Sequence, residues 1–225
     1  MGAIILELQK DIIDPNIKLD NLLLKAYLIA EKLDLDYFKK WIDSELNGYP
    51  AGEDLPDYRH VSGVPMTYQK EQGLQPIIVD EKMLAVTLDT IFSRFPIKHS
   101  ISNIVSRIST EKTNSDFGLS TEMASDLLDL FPYADKIIFR TGKNYLEEIV
   151  TKVKKALLDW TLKLEKLNVL GENLAFSEEE KEQASTITIN YIINVIENFN
   201  NSSLQQATLD SEQVMTVKSE NIDIP

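Results

Sequence analysis

The chain has 225 residues, no cysteine, and 36 acidic against 23 basic residues, for a formal charge of −13. Without cysteine it can form no disulfide, zinc–thiolate site or thiol nucleophile, and the acidic balance argues against binding nucleic acid or an anionic membrane. Its 43% apolar and 26% charged residues are the composition of a globular protein long enough to bury a core.

The first predicted helix carries Ile4, Ile5, Leu8 and Ile12 at helical spacing. It stops at Asp14-Pro15, because the residue before a proline is pushed out of the helical region. A second starts at Asp20 as N-cap, with Leu19 and Leu24 placed for a hydrophobic staple. Leu23, Ala26, Tyr27, Ala30 and Leu33 form its apolar face. The pattern repeats at once: Asp34 as cap, Leu33 and Phe38 as staple, then Phe38, Trp41, Ile42 and Leu46, with Gly48 as the stop. With almost no linker between them, the two helices should pack as an antiparallel or sharply bent pair.

Residues 49–80 hold Pro50, Gly52, Pro56, Gly63, Pro65, Gly73 and Pro76, which break helices. Within them 58–64 and 75–79 read as strands of a hairpin turning at 69–73, and the prolines place both at sheet edges. Weak helical character follows over 81–92 and 97–108, then a polar loop over 110–118. Residues 120–131 form a helix with Met123, Leu127, Leu128 and Phe131 inward, and 136–140 a short strand.

The strongest pattern runs from 144 to 168. Leu146, Ile149, Val150, Val153, Leu157, Trp160, Leu164 and Leu167 recur every three or four residues. They mark a core-facing stripe on a helix of about six to seven turns, capped by Asn144. The last helix opens on Ser177 and Glu180, a capping box, and continues through Ile187, Tyr191, Val195 and Phe199. From Asn200 the chain turns polar and amide-rich. The expectation is therefore α+β, mostly α-helical with a small β-sheet: a domain over 1–199 and a polar C-terminal strand or tail over 200–225.

Several segments resemble a known family: Ile13-Asp14-Pro15 with the helix pair after it, the run from Trp41 to Tyr49, and the run from Leu55 to Arg59. The most telling is the run from Leu158 to Glu165 leading to Gly171-Glu172 and on to Phe176 and Lys181. Together, from about residue 4 to about residue 198, they resemble the AbiTii-type abortive-infection domain of bacterial antiphage defence. The polar tail also looks like a segment that follows such domains. The resemblance implies a role in stopping phage propagation at the cost of the infected cell. Its segments are core and cap patterns, so it transfers no catalytic residue and no cofactor.

Candidate chemistry is sparse. His60 and His99 lie 39 positions apart and offer no close ligand pair, so no metal site is expected. No Gly-x-Ser-x-Gly nucleophile elbow exists. A restriction-type nuclease needs an acid-x-Lys trio on a strand. Tyr68-Gln69-Lys70 lacks the acid, and Glu179 and Lys181 lie in the first turn of a capped helix. Asp126 and Asp129 read as the solvated face of their helix. In the segment 137–144 a strand leads through a glycine turn into the long helix. Arg140, Thr141 and Lys143 there could meet a small phosphate-containing signal at the helix N-terminus. The bland reading of that segment is a turn glycine beside two solvated cations. Tyr58 and Arg59 are candidate partner anchors, plain strand packing being the alternative. Leu204, Gln205, Gln206 and Leu209 are candidates for self-assembly through stacked tails, with a disordered linker as the alternative. The expected partners are further copies of the chain, or a defence-system partner or phage component, with no nucleic acid. The N-terminus shows no basic region, apolar core and cleavage site. The longest apolar runs fall far short of the ~20 residues that span a bilayer, so the cytoplasm is the expected compartment.

Overall fold

Burying the stripe of the longest helix organises the molecule. The computed structural model describes residues 2–77, 88, 89 and 91–192. Among them helices α1 (Ile4–Ile13), α2 (Leu19–Lys32), α3 (Asp36–Asn47), α4 (Ile101–Ile108), α5 (Thr121–Leu130), α6 (Lys143–Lys166) and α7 (Glu178–Tyr191) alternate with short strands. The fold is α+β and mostly helical, as the sequence pattern predicts. On α6, Leu146, Ile149, Val153, Leu157, Trp160 and Leu164 are fully buried. They face α1, α2, α4 and α7, so α6 is the central helix. None of the described helices is long and apolar enough to cross a membrane.

The predicted stops and starts are met in part. Gly48 ends α3 at φ 94°, a region glycine enters freely, and Ser177 and Glu180 form the reciprocal capping box of α7. The predicted caps Asp20, Asp34 and Asn144 do not cap. Helix α2 begins one residue before Asp20, whose carboxylate accepts from Ser102 Oγ at 2.8 Å. Asp34 takes the left-handed conformation of the α2–α3 link (φ 57°), and Leu35 holds the cap position. Gly142 holds the cap position of α6.

Strands β2 (Val64–Gln69), β3 (Gly73–Pro76), β5 (Asn114–Gly118) and β6 (Lys136–Gly142) form one antiparallel sheet in the order β3-β2-β6-β5. Strands β1 (His60–Val61) and β4 (Phe95–Pro96) pair separately. The hairpin at 69–73 forms as predicted. The strand predicted over 58–64 is instead a 3₁₀ turn at Asp57–Arg59 followed by β1 and the start of β2. The polar loop predicted over 110–118 contains β5, whose Ser115 and Phe117 alternate inward. Pro65 lies on an inner strand rather than an edge. It is tolerated because its main chain faces the end of β3, where its carbonyl accepts from Ile77 N–H.

Phe92, Phe95, Phe117 and Phe139 pack as one aromatic group under this sheet, Phe95 and Phe139 with ring centroids 4.0 Å apart. Gly63 lets the chain cross it. A Cβ there would sit 2.3 Å from Arg140 O and 2.5 Å from the Phe139 ring. Gly63→Ala is expected to cost about 1–3 kcal/mol, read as a lowered urea midpoint at constant m.

Candidate functional site

Glu45 stands on α3 three or four positions after Trp41 and Ile42, on the apolar face of that helix. That spacing forces a carboxylate into the core. It is met there by Arg59 from the 3₁₀ turn, and both side chains have no solvent exposure. Arg59 Nη2 donates to Glu45 Oε2, and Arg59 Nε donates to Oε1 at 3.2 Å. Arg59 Nη1 donates to the carbonyls of His99 at 2.7 Å and Ile97 at 3.4 Å. The hydroxyls of Tyr49 and Tyr58 donate to Glu45 Oε1 at 2.7 and 2.8 Å, and Trp41 Nε1 donates to the Tyr58 hydroxyl at 2.8 Å.

Burial, with the adjacent Glu45 charge, pushes both phenols well above the ordinary tyrosine value, so they remain donors. Burial opposes the Arg59 charge, but the Glu45 carboxylate outweighs it and raises that pKa. Every partner comes from within the domain. The cluster locks α3 to the turn before β1 and to the segment before α4. Of the two candidate partner anchors, Arg59 is fully buried and Tyr58 is half-buried with its hydroxyl engaged inside.

The predicted anion site is not assembled. Successive residues of a strand point to opposite faces, which separates Arg140 from Thr141 on β6. Arg140 makes a two-pronged pair with Asp116 of β5, at 2.6 and 2.8 Å. Its guanidinium, hydrogen-bonded to that carboxylate, holds Asp116 below the usual carboxylate range. Thr141 is buried and donates to Ser62 O at 2.7 Å. Lys143 Nζ reaches Thr110 O at 3.4 Å. Leu204, Gln205, Gln206 and Leu209 lie outside the described residues.

His60 and His99 are each held below the ordinary histidine value, first by burial and then by Arg94 and Arg107 respectively. They sit in separate surroundings. Among the described residues no group of three or more His, Asp or Glu side chains is placed to hold a metal ion.

Two hollows remain. One, of about 490 Å³ at the α6–α7 junction, is bordered by Glu172, Glu179 and Glu180. Glu180 is engaged there with the N–H groups of Leu170, Gly171 and Ser177. The other, of about 330 Å³, lies between α5 and Leu88 and Ile91. Sequence reasoning missed it, because Met123 and Leu127 read as ordinary core positions and their partners come from a segment more than thirty residues earlier.

No curated protein and no solved structure matches the chain. The family model described as AbiTii matches residues 3–189.

Proposed function

Since the chain belongs to the AbiTii family, we propose that it serves bacterial antiphage defence by abortive infection, as a binding and assembly module rather than as an enzyme. The family match over residues 3–189 carries the defence role. The module reading is supported by the way the polar groups are engaged. The one fully buried ion pair among the described residues, Glu45–Arg59, is closed on itself, and Arg140 is neutralised by Asp116. What the domain presents instead is apolar surface, including Leu24, Tyr27 and Leu28 along one side of α2. The cytoplasm, where phage replicates, is the compartment this role requires. The sensor alternative finds no support at Arg140, Thr141 and Lys143.

Assembly is assigned to the tail. Residues 203–217 place Leu204, Leu209 and Val214 among Gln, Thr, Ser and Asp, too little apolar area to fold alone. Such a segment orders by pairing with an open strand edge. In the four-stranded sheet of its own domain the outer strands are poor acceptors. The Asp116 carbonyl of β5 accepts from Arg107 at 2.8 Å, and β3 ends on Pro76, which has no N–H. The same segment of another copy is the template this reading assigns, giving a homo-oligomer.

The test has two parts. Cells expressing the protein are infected, and phage released per cell is measured together with culture survival. Reduced release with collapse of the culture is the expected result. Release equal to the empty-vector control overturns the defence role. Separately, deleting residues 200–225 should lower the mass measured by light scattering. A full-length chain that is already monomeric at high concentration, or a truncation with unchanged mass, overturns assembly through the tail.

A further inference from the structure

The hollow beside α5 has an apolar floor and an acidic rim. Leu88 and Leu127 form its buried base, Met123 and Ile91 its half-buried sides, and Leu130, 53% exposed, one wall. Glu122 and Asp126 stand over it, one helical turn apart. Among the described residues neither has an ion-pair or hydrogen-bond partner through its side chain. Helix α5 carries a third acid, Asp129, and no basic residue at all. Like charges four residues apart weaken a helix, so α5 keeps a local repulsion that no described residue relieves by an ion pair. The Arg140–Asp116 and Lys25–Asp11 pairs show the contrasting pattern, where an acid is met by a cation of the same domain.

We infer that this groove is a docking site for an amphipathic segment of a partner protein, one that seats apolar side chains between α5 and Leu88/Ile91 and sets Lys or Arg against Glu122 and Asp126. Apolar anchors at helical spacing, laid into a groove, are a standard mode of peptide recognition. Rim charges of opposite sign steer the encounter and fix its register. Charge also selects among occupants. The chain's own residues 193–225 carry Glu197, Asp210, Glu212, Glu220 and Asp223 against Lys218 alone, and a second copy brings a net −13. Both meet the rim with like charge. A foreign basic segment is the complementary one. This inference rests on the binding-module reading and names the surface and the partner chemistry for it.

The experiment uses the full chain and a fluorescent leucine–lysine peptide, with leucine at i, i+3, i+4 and i+7 and lysine elsewhere, followed by anisotropy at physiological salt. Glu122→Lys with Asp126→Lys, and separately Leu130→Asp, should each weaken binding by about tenfold or more. Glu147→Lys with Glu148→Lys, a charge reversal of the same size on the exposed side of α6, should leave it within about twofold. Unchanged melting curves establish that the variants are folded, which their surface positions favour. No binding to the wild type, or equal weakening by the α6 control, overturns the groove. Phage release is then measured for the same variants. If wild type restricts phage and the groove variants do so equally, the groove inference fails while the defence role stands. If wild type does not restrict phage, the defence role fails, and the peptide titration alone decides the groove.

Discussion

Arg59→Met is expected to destabilise the domain by about 3–5 kcal/mol, because it leaves the Glu45 carboxylate buried without its counter-charge. In a chain of this size each kcal/mol lowers the melting temperature by about 2–4 °C, so the loss is on the order of ten degrees. The double variant Glu45→Leu, Arg59→Met removes both charges and should recover part of this. It should not return to wild type, as replaced buried ion pairs sometimes do. The carbonyls of Ile97 and His99 would lose their Arg59 donor, and the hydroxyls of Tyr49 and Tyr58 the Glu45 acceptor. A buried group so orphaned costs about 1–3 kcal/mol. Urea unfolding of the two single variants and the double variant measures the coupling directly. A loss below about 1 kcal/mol for Arg59→Met would mean that water reaches Glu45 and the cluster is open.

The same cluster sets an alkaline limit. Tyr49 and Tyr58 hold their protons more tightly folded than unfolded, because burial and the Glu45 charge disfavour the phenolate. Stability from them is complete below the unfolded tyrosine value of about 10 and is lost as pH rises above it. Tyr49→Phe with Tyr58→Phe should flatten that part of the stability–pH curve.

What was legible in the sequence, and what was not, follows from where the determining partner lies. The α6 stripe, the Gly48 stop and the Ser177–Glu180 box are local: each is written within a few turns of one helix, and each is present. Asp20 reads as a cap by the same local rules, but its carboxylate is engaged by Ser102, 82 residues away. Strand β5 has only Phe117 as a large inward apolar residue, so its period is invisible until β6 lies beside it. The sites show the same division. Arg140 looked free because Asp116 lies 24 residues back on another strand. Arg59 looked available because its place in a 3₁₀ turn, aimed inward, cannot be told from a strand residue by spacing. Glu45 was the readable clue: with Phe38, Trp41 and Ile42 it completes one apolar helical face, and an acid on such a face demands a buried cation.

Trp160→Ala should cost about 3–5 kcal/mol, the range for emptying a large aromatic site in a core. Trp160 is fully buried where three helices meet. Its ring lies 4.2 Å, centroid to centroid, from Phe38 of α3, and its Nε1 donates to Thr188 Oγ1 of α7 at 3.0 Å. The second anchor of α7 to α6 is the Tyr191 hydroxyl, which donates to Ala156 O at 3.0 Å. Two contributions can therefore be separated. Trp160→Phe keeps much of the apolar contact with Phe38 but loses the donor, and should cost less than half as much as alanine. Thr188→Val leaves the indole N–H buried without an acceptor, a loss of about 1–3 kcal/mol. If the hydrogen bond is what both variants remove, the double variant Trp160→Phe, Thr188→Val costs less than the sum of the singles. Hydrogen exchange adds the structural consequence. Alanine at 160 should lower protection in α3, α6 and α7 together, whereas phenylalanine should lower it mainly in α7, which the lost bond ties to the core. A Trp160→Ala cost under about 1.5 kcal/mol, or an exchange change confined to α6, would show that α6 does not hold these helices together.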